Sequence, residues 1–207
     1  MRYHKIPDET IRRLPVYLRG AIHLSRQGVE NTSSEHLASL LGVKSWQMRK
    51  DFSYFGDFGT PGVGYHLESL IKHINRILRL DAGHRAAVVG VGNLGSALLA
   101  FPGFGMYGFE IAAAFDIDKR KIGRKRDGIV IEDVARLSSL RRRRIFLGII
   151  AVPGSAAPKI AESLVKAGVR GILNFSHRYI AVPKRVKVIT IDIAMDLARL
   201  PYYMPAS

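Results

Sequence analysis

The sequence predicts an α/β chain in two parts, a small helical head followed by a mostly parallel sheet. Three observations predict it. From Arg85 onward, short apolar runs alternate with helix-patterned segments, the pattern of a parallel sheet with helical crossovers. Gly90-Val91-Gly92-Asn93-Leu94-Gly95 lies between one such run and an Ala/Leu-rich helical segment. Near the start, two short helical patterns flank Gly42.

Taken in order, Ile6-Pro7-Asp8-Glu9 opens a first helix, with proline and acids in its first turn. Ile11, Leu14, Leu18 and Ile22, joined by Val16 and Ala21, recur at helical spacing to about Gly28. Pro15 belongs on the exposed side or at a kink. Thr32 to Glu35 reads as a capping box for a helix over residues 33–41 whose apolar side is Leu37, Leu40 and Leu41. Leu41-Gly42-Val43 is a tight turn, and Ser45 can cap a third helix from Trp46 to about Tyr54. That helix presents Lys44, Ser45, Gln47, Arg49 and Lys50, types that suit phosphates and major-groove base edges. A helical hairpin with a solvated basic face would use the same types. Residues 55–65 hold four glycines among aromatics and read as a β-hairpin or wing, with a plain glycine-rich loop as the alternative. Residues 66–80 are amphipathic, with Leu67, Leu70, Ile71, Ile74, Ile77 and Leu78 on one side. Asp81 to His84 is the boundary, so the head spans residues 1–80.

The second part starts with a buried strand over residues 85–89. Gly90 allows the turn, Gly92 lets backbone approach a pyrophosphate, and Gly95 lets helix and strand pack closely. The phosphate would sit on the helix N-terminus. The next apolar run, residues 109–115, ends at Asp116, 21 residues after Gly95. A carboxylate there suits a ribose 2′-hydroxyl and repels a 2′-phosphate, which points to NAD(H) over NADP(H). The basic loop 117–126 either edges the adenine or faces solvent, and an arginine in it can accept a 2′-phosphate. A strand at 129–131, a helix at 132–140, the run Arg141 to Arg144, a strand at 145–152, a helix at 156–167, strands at 171–175 and 186–191, and a terminal helix at 193–200 complete the pattern. Val152, Pro153 and Asn174 fall at the carboxyl ends of strands, where open α/β sheets bind ligands. The dinucleotide candidates are therefore Gly90, Val91, Gly92, Asn93, Leu94, Gly95, Asp116, Val152, Pro153 and Asn174. The fold class is α/β, an N-terminal winged helix-turn-helix domain plus a C-terminal Rossmann-type parallel-sheet domain over residues 81–192.

Composition narrows the function classes. The 207 residues contain no Cys, which excludes a disulfide framework, a thiolate metal site and a Cys nucleophile, and fits a reducing cytoplasm. No apolar run approaches the roughly 18 residues of a membrane span, and the polar, charged N-terminus is not a secretory signal. A net charge of +15 suggests a polyanionic partner. The excess is not confined to the head: residues 1–80 hold 12 basic and 7 acidic residues, and residues 81–207 hold 20 and 10.

Head, wing and nucleotide motif in this order resemble the Rex family of redox-sensing transcriptional repressors. The resemblance rests on Arg49-Lys50-Asp51-Phe52-Ser53-Tyr54-Phe55-Gly56, on Gly62-Val63-Gly64-Tyr65, on Gly90 to Gly95, on Phe115-Asp116-Ile117-Asp118 and on Gly171 to Phe175. It implies a homodimer whose terminal helix, residues 193–207, is exchanged and inserts near the partner's nicotinamide pocket. It further implies that Asp192 faces Arg19 of a neighbouring first helix when NADH is bound, that Phe101 borders the cofactor, and that Tyr54, Gly62 and Tyr65 join the DNA-contacting set. Three positions depart from the family pattern. Ile193 stands where an aromatic is expected, Phe101 lacks the expected tyrosine hydroxyl, and Pro61 replaces a basic wing residue.

The expected function is a cytoplasmic, non-catalytic, dimeric repressor that binds operator DNA and is released by NADH. Nicotinamide is cationic in NAD⁺ and neutral in NADH, so an apolar pocket penalises the oxidised form. Two rivals remain. An NAD-dependent dehydrogenase would need His177 or Lys184 as its acid–base group, and no orienting acid is visible beside His177. A DNA-binding regulator could instead sense another adenine nucleotide, such as a coenzyme A thioester.

Overall fold

The computed structural model describes residues 6–60 and 62–204, and the chain divides into two compact units, 1–82 and 83–207. The first unit runs α1 (Asp8–Arg26), β1 (Asn31–Thr32), α2 (Ser34–Leu40), α3 (Ser45–Ser53), β2 (Tyr65–His66) and α4 (Leu67–Leu78). α1 buries Leu14, Tyr17, Leu18, Ala21 and Leu24, one stripe of a 3.6-residue repeat. Ile11, expected in that stripe, is exposed, and Ile22 is half-buried. Tyr17 takes the inward place because its hydroxyl finds a buried partner, described below. Pro15 lies on the exposed side, as one of its two readings required. α4 answers with Leu67, Leu70 and Ile74.

The turn between α2 and α3 follows from Gly42, at φ +64°. Gly42 N–H donates to Ser39 O and Val43 N–H to Ala38 O, the pair of hydrogen bonds that ends a helix on a left-handed residue. Several boundaries differ from the sequence reading. The cap of α2 is Ser33, whose Oγ accepts the His36 N–H at 3.0 Å, because Thr32 is committed to β1 pairing with Tyr65. Ser45 is the first residue of α3 rather than its cap, and Lys44 holds the cap position. Leu40 is exposed. The wing closes at Thr60 and Gly64, which exchange backbone bonds of 2.9 and 3.0 Å, while β2 pairs antiparallel with β1. β1 is two residues long and leaves no alternating pattern for a sequence reading to catch.

The second unit is a seven-stranded sheet. Its strands are β3 (His84–Val89), β4 (Phe109–Asp116), β5 (Lys125–Arg126), β6 (Ile129–Asp133), β7 (Leu147–Ile150), β8 (Gly171–Asn174) and β9 (Lys187–Thr190). The spatial order is β5-β6-β4-β3-β7-β8-β9, parallel except for the edge strand β5. Six parallel strands in this order are the doubly wound dinucleotide-binding arrangement, with the reversal of strand order between β3 and β7. α5 (Asn93–Ala100), α6 (Gly103–Met106), α7 (Ala157–Lys166) and α8 (Ile193–Leu197) complete it. The carboxyl-terminal halves of β3, β4 and β7 bury Ala, Val, Ile and Phe, as a sheet covered on both faces requires. The segment expected to be helical from residue 132 begins later. Glu132 and Asp133 extend β6 opposite Phe115 and Asp116, and only Val134–Leu140 coils, as a tight 3-10 helix capped by Asp133. Terminal α8 is five residues long, followed by a 3-10 turn at Leu200–Tyr203.

Candidate functional site

The glycine turn lies where β3 ends beside β7. Gly90 has φ +94°, and a Cβ there would sit 2.5 Å from Ala151 O. A Cβ on Gly95 would collide with Gly90 O, whereas one on Gly92 would meet nothing within 4 Å. Two glycines thus serve the fold, and Gly92 leaves open space at the start of α5, where Ser96 N–H is the first amide to bond back, to Gly92 O. Asn93 and Leu94 occupy the first turn, whose free N–H groups suit a pyrophosphate.

Asp116, at the end of β4, is nearly buried and holds this turn together. Its Oδ2 accepts the Val91 N–H at 2.8 Å and the Lys121 ammonium at 3.1 Å, and Oδ1 accepts the Asp118 N–H at 2.8 Å. Burial pushes the carboxyl up, yet the Asp118 and Val91 amides and Lys121 outweigh it and keep Asp116 below the usual aspartate range. Three of its roughly four lone-pair sites are used, leaving one on Oδ1 for a ribose hydroxyl. In the basic loop, Arg120 folds onto Asp118, which brings that half-buried carboxyl down to about 2, while Lys121 turns inward to Asp116. Lys121 was not singled out in the sequence, because nothing in a basic run tells which cation turns inward.

Val152 and Pro153 follow β7 beside the turn, Val152 packed against the would-be Cβ of Gly90. Asn174 corrects the sequence reading. Its side chain is fully buried, with Nδ2 donating to Ser176 O, Arg178 O and Thr190 Oγ1 and Oδ1 accepting from Ser176 N and Oγ. It pins the β8 and β9 loops, with both side-chain polar atoms engaged within the protein. Phe101 is exposed and packs edge-on against Phe104 of α6, over Gly103. The absence of an orienting acid beside His177 is also corrected. Asp192 Oδ1 lies 3.6 Å from His177 Nδ1, because β8 and β9 are neighbours and their following loops converge. Asp192 also caps α8 through the Met195 N–H.

In the head, Lys44 and Lys50 are exposed, and Ser45 and Tyr54 half-buried. Arg49 reaches back to α2, with Nη1 on Glu35 Oε1 at 2.5 Å and Ser34 Oγ at 2.7 Å. Gln47 is turned inward onto Asp51 at 3.1 Å. Gly62 is exposed at the wing tip with φ +78°, and Pro61 lies outside the described residues. Tyr65, expected in the DNA-contacting set, is largely buried and lines the groove between wing and helices. It is 7 % exposed and packs edge-on against Phe52, which stacks on Phe58 of the wing. An aromatic at that register packs the wing onto α3. A groove between wing and helices is lined by Ser34, Glu35, Arg49, Ser53, Thr60 and Val63.

Asp51 is the feature the sequence reading missed. Fully buried on α3, it accepts from Thr10 Oγ1 (2.9 Å), Arg13 Nε and Nη2 (2.6 and 2.8 Å), Tyr17 Oη (2.6 Å) and Gln47 Nε2 (3.1 Å). Burial raises its pKa, and the bonds from Arg13, Tyr17, Thr10 and Gln47 carry it below the usual range. The spacing of residues 10, 13 and 17 on one helix face was the available signal.

Comparison with known proteins agrees with both halves. Residues 5–53 match a family described as putative DNA-binding protein N-terminus, and residues 81–178 one described as CoA binding domain. The redox-sensing transcriptional repressor Rex of Carboxydothermus hydrogenoformans is 44 % identical over 98 % of both chains, and that of Thermus thermophilus 45 % identical over 96 % of this chain and 93 % of its own. The chain belongs to the Rex family of redox-sensing transcriptional repressors. Solved structures of RSP, a Rex-family repressor, extend the likeness. RSP in complex with β-NAD⁺ and operator DNA matches at 33 % identity and a TM-score of 0.90, covering 96 % of this chain and 92 % of RSP. RSP in complex with β-NADH matches at 32 % and 0.88, covering 96 % and 94 %. Rex relatives thus carry the same two units in the same order.

Proposed function

We infer that this protein is a redox-sensing transcriptional repressor without catalytic activity, binding operator DNA in its NAD⁺ or free form and leaving it when NADH binds. The carrying observation is the Gly90–Gly95 turn at the reversal point of the sheet, open at Gly92 and tied to Asp116, on one chain with a helix-turn-helix head. NADH is the favoured form because a nicotinamide cation entering an apolar pocket loses hydration that neutral dihydronicotinamide does not need. The ligand acts only through its differential affinity for the two states of the protein. A 100-fold effect on operator affinity corresponds to about 2.7 kcal/mol of coupling, within the usual range.

The working unit is a homodimer in the cytoplasm. Supporting this, Ile193, Met195, Leu197, Leu200, Tyr202 and Tyr203 are all exposed, a run of apolar side chains that a soluble monomer rarely leaves uncovered. Exchange of this segment would bring Asp192 of one subunit toward Arg19 of the other. Phe101 has no hydroxyl to join that switch, so the ion pair acts without it. Arg49, Lys50, Lys44 and Ser45 read the major groove, with Tyr54 and the wing at Gly62 on the backbone. Asp116 favours a free ribose and so NADH over NADPH. A second reading, coenzyme A or its thioesters at the same turn, is favoured by the family description matched over residues 81–178. Mass spectrometry of ligand retained on the purified protein separates the two. Gel shift on duplexes selected from a random pool, with and without NADH, tests the repressor reading.

A further inference from the structure

The edge of the sheet opposite the glycine turn is basic. Arg85 enters β3, residues 141–144 lead into β7, Arg170 precedes β8, and Lys184, Arg185 and Lys187 lead into β9. These four strands are neighbours in the order β3-β7-β8-β9, so the side chains fall on one edge. Hydrogen bonds to backbone carbonyls stitch it together. Arg85 Nη1 donates to Arg143 O at 2.8 Å, Arg170 N to Phe146 O at 2.8 Å, and Lys187 N to Arg170 O at 2.9 Å. With about 4.8 Å between strands, the charges spread over roughly 15 Å.

Two of these cations serve the fold. Arg85 faces Glu110 at 3.4 Å, and Arg143 is clamped by Glu132 at 2.6 Å and Ala112 O at 2.8 Å. Arg141, Arg142, Arg144, Arg170, Lys184 and Arg185 are exposed, and among the described residues no acid lies within ion-pair distance of them. Arg144 adds an independent sign. It closes the turn that follows the 3-10 helix, in the left-handed conformation at φ +55°, with Ile145 N–H bonding back to Leu140 O. Glycine or asparagine suits that position, and a residue with a long side chain is strained there. The strain is retained at a cation that has no acid partner.

We propose that this edge is a second, sequence-independent surface for the phosphate backbone of duplex DNA. A row of guanidinium groups matches a line of phosphates better than it matches one small anion. Flat aromatic platforms, which single strands need, are missing from the row. Phe146, its one aromatic, is covered by the Arg170 guanidinium at 5.0 Å. The surface gathers nine of the 20 basic residues of residues 81–207, outside the head. It is independent of the NADH reading.

The test uses the full-length chain and a 60-base-pair mixed-sequence duplex, with affinity measured by fluorescence anisotropy across a sodium chloride series. Four proteins are compared: the wild type, a head variant (Arg49→Gln with Lys50→Gln), an edge variant (Arg141→Gln, Arg142→Gln, Arg144→Gly and Arg170→Gln), and the combination. Thermal melts and NADH titration confirm that the edge variant is folded, and Arg144→Gly removes backbone strain there. The head variant should keep salt-dependent binding. The edge variant should lose about 3 in the slope of log K against log salt, at roughly 0.9 per phosphate contact, and the combination should bind negligibly. An unchanged slope in the edge variant, or complete loss of binding in the head variant alone, would overturn the proposal. So would binding to phosphatidylglycerol vesicles, lost in the edge variant, with no edge effect on the duplex.

Discussion

Asp116 Oδ2 accepts the Val91 N–H across 2.8 Å, so the acid at the end of the second strand of the sheet domain fastens the glycine turn that follows the first. One carboxylate thereby shapes the turn, and in the proposed function its remaining lone pair goes to a ribose hydroxyl.

Asp116→Ala should therefore weaken NADH binding by more than the loss of one ribose contact. We predict at least a tenfold rise in Kd, about 1.4 kcal/mol, by isothermal titration calorimetry. Asp116→Asn, which keeps one oxygen acceptor, should fall between. Wild-type protein should prefer NADH to NADPH, and Asp116→Ala should narrow that preference. An Asp116→Ala protein with wild-type affinity would mean the ligand sits elsewhere.

The Asp51 cluster makes a separate prediction about the head. Removing the carboxylate strands Arg13, Tyr17 and Thr10 in or near the interior, and breaking a buried ion pair costs on the order of 3–5 kcal/mol. Asp51→Ala should lower the melting temperature of the head and loosen α3 against α1, weakening DNA binding without changing NADH affinity. The pH dependence has two sides. Asp51 titrates below its unfolded value, so its contribution is complete above about pH 4 and is lost as pH falls through the lower folded value. Tyr17 is held neutral above its unfolded value, chiefly by burial and then by its bond to Asp51. Its contribution is complete below about pH 10 and declines as pH rises past it. A stability plateau between those limits, flattened at the acid side in Asp51→Ala, is the expected profile by circular dichroism.

Arg49 gives a prediction with opposite signs for two neighbours. Arg49→Gln should weaken DNA binding and reduce the salt slope by about 1. Glu35→Gln should strengthen it several-fold, because Glu35 now holds Arg49 and adds a negative charge beside the groove. Anisotropy with one duplex and both variants reads the two directions together.

Much of this was legible in the sequence, and the exceptions share a cause. The glycine turn, Asp116, the strand alternation and the turn at Gly42 are local patterns, set by residues close together in the chain. What escaped depends on distant partners. Tyr17 and Asp51 read as an ordinary aromatic and an ordinary helix acid until α1 and α3 meet. Asn174 looks like a ligand residue at a strand end until the β8 and β9 loops fold over it. Tyr65 reads as the DNA-contacting end of the wing until Phe52 packs against it. The capping position moved from Thr32 to Ser33 because a two-residue strand, paired 33 positions away, claimed the threonine.

The terminal segment predicts the assembly. Leu197→Asp with Leu200→Asp should convert a dimer to a monomer in light scattering and abolish the NADH response, while each subunit still binds NADH. Arg19→Ala and Asp192→Ala should leave the dimer intact and weaken the NADH response to similar extents, with no further loss when combined, as expected for one ion pair.

The most direct measurement is operator affinity with and without the reduced cofactor. Duplexes selected from a random pool by the NAD⁺-loaded protein are titrated at fixed salt with no cofactor, with NAD⁺ and with NADH. NADH at micromolar concentration should lower affinity about 100-fold, the coupling of about 2.7 kcal/mol considered above, while NAD⁺ leaves binding intact. Equal affinity in all three conditions would contradict the account.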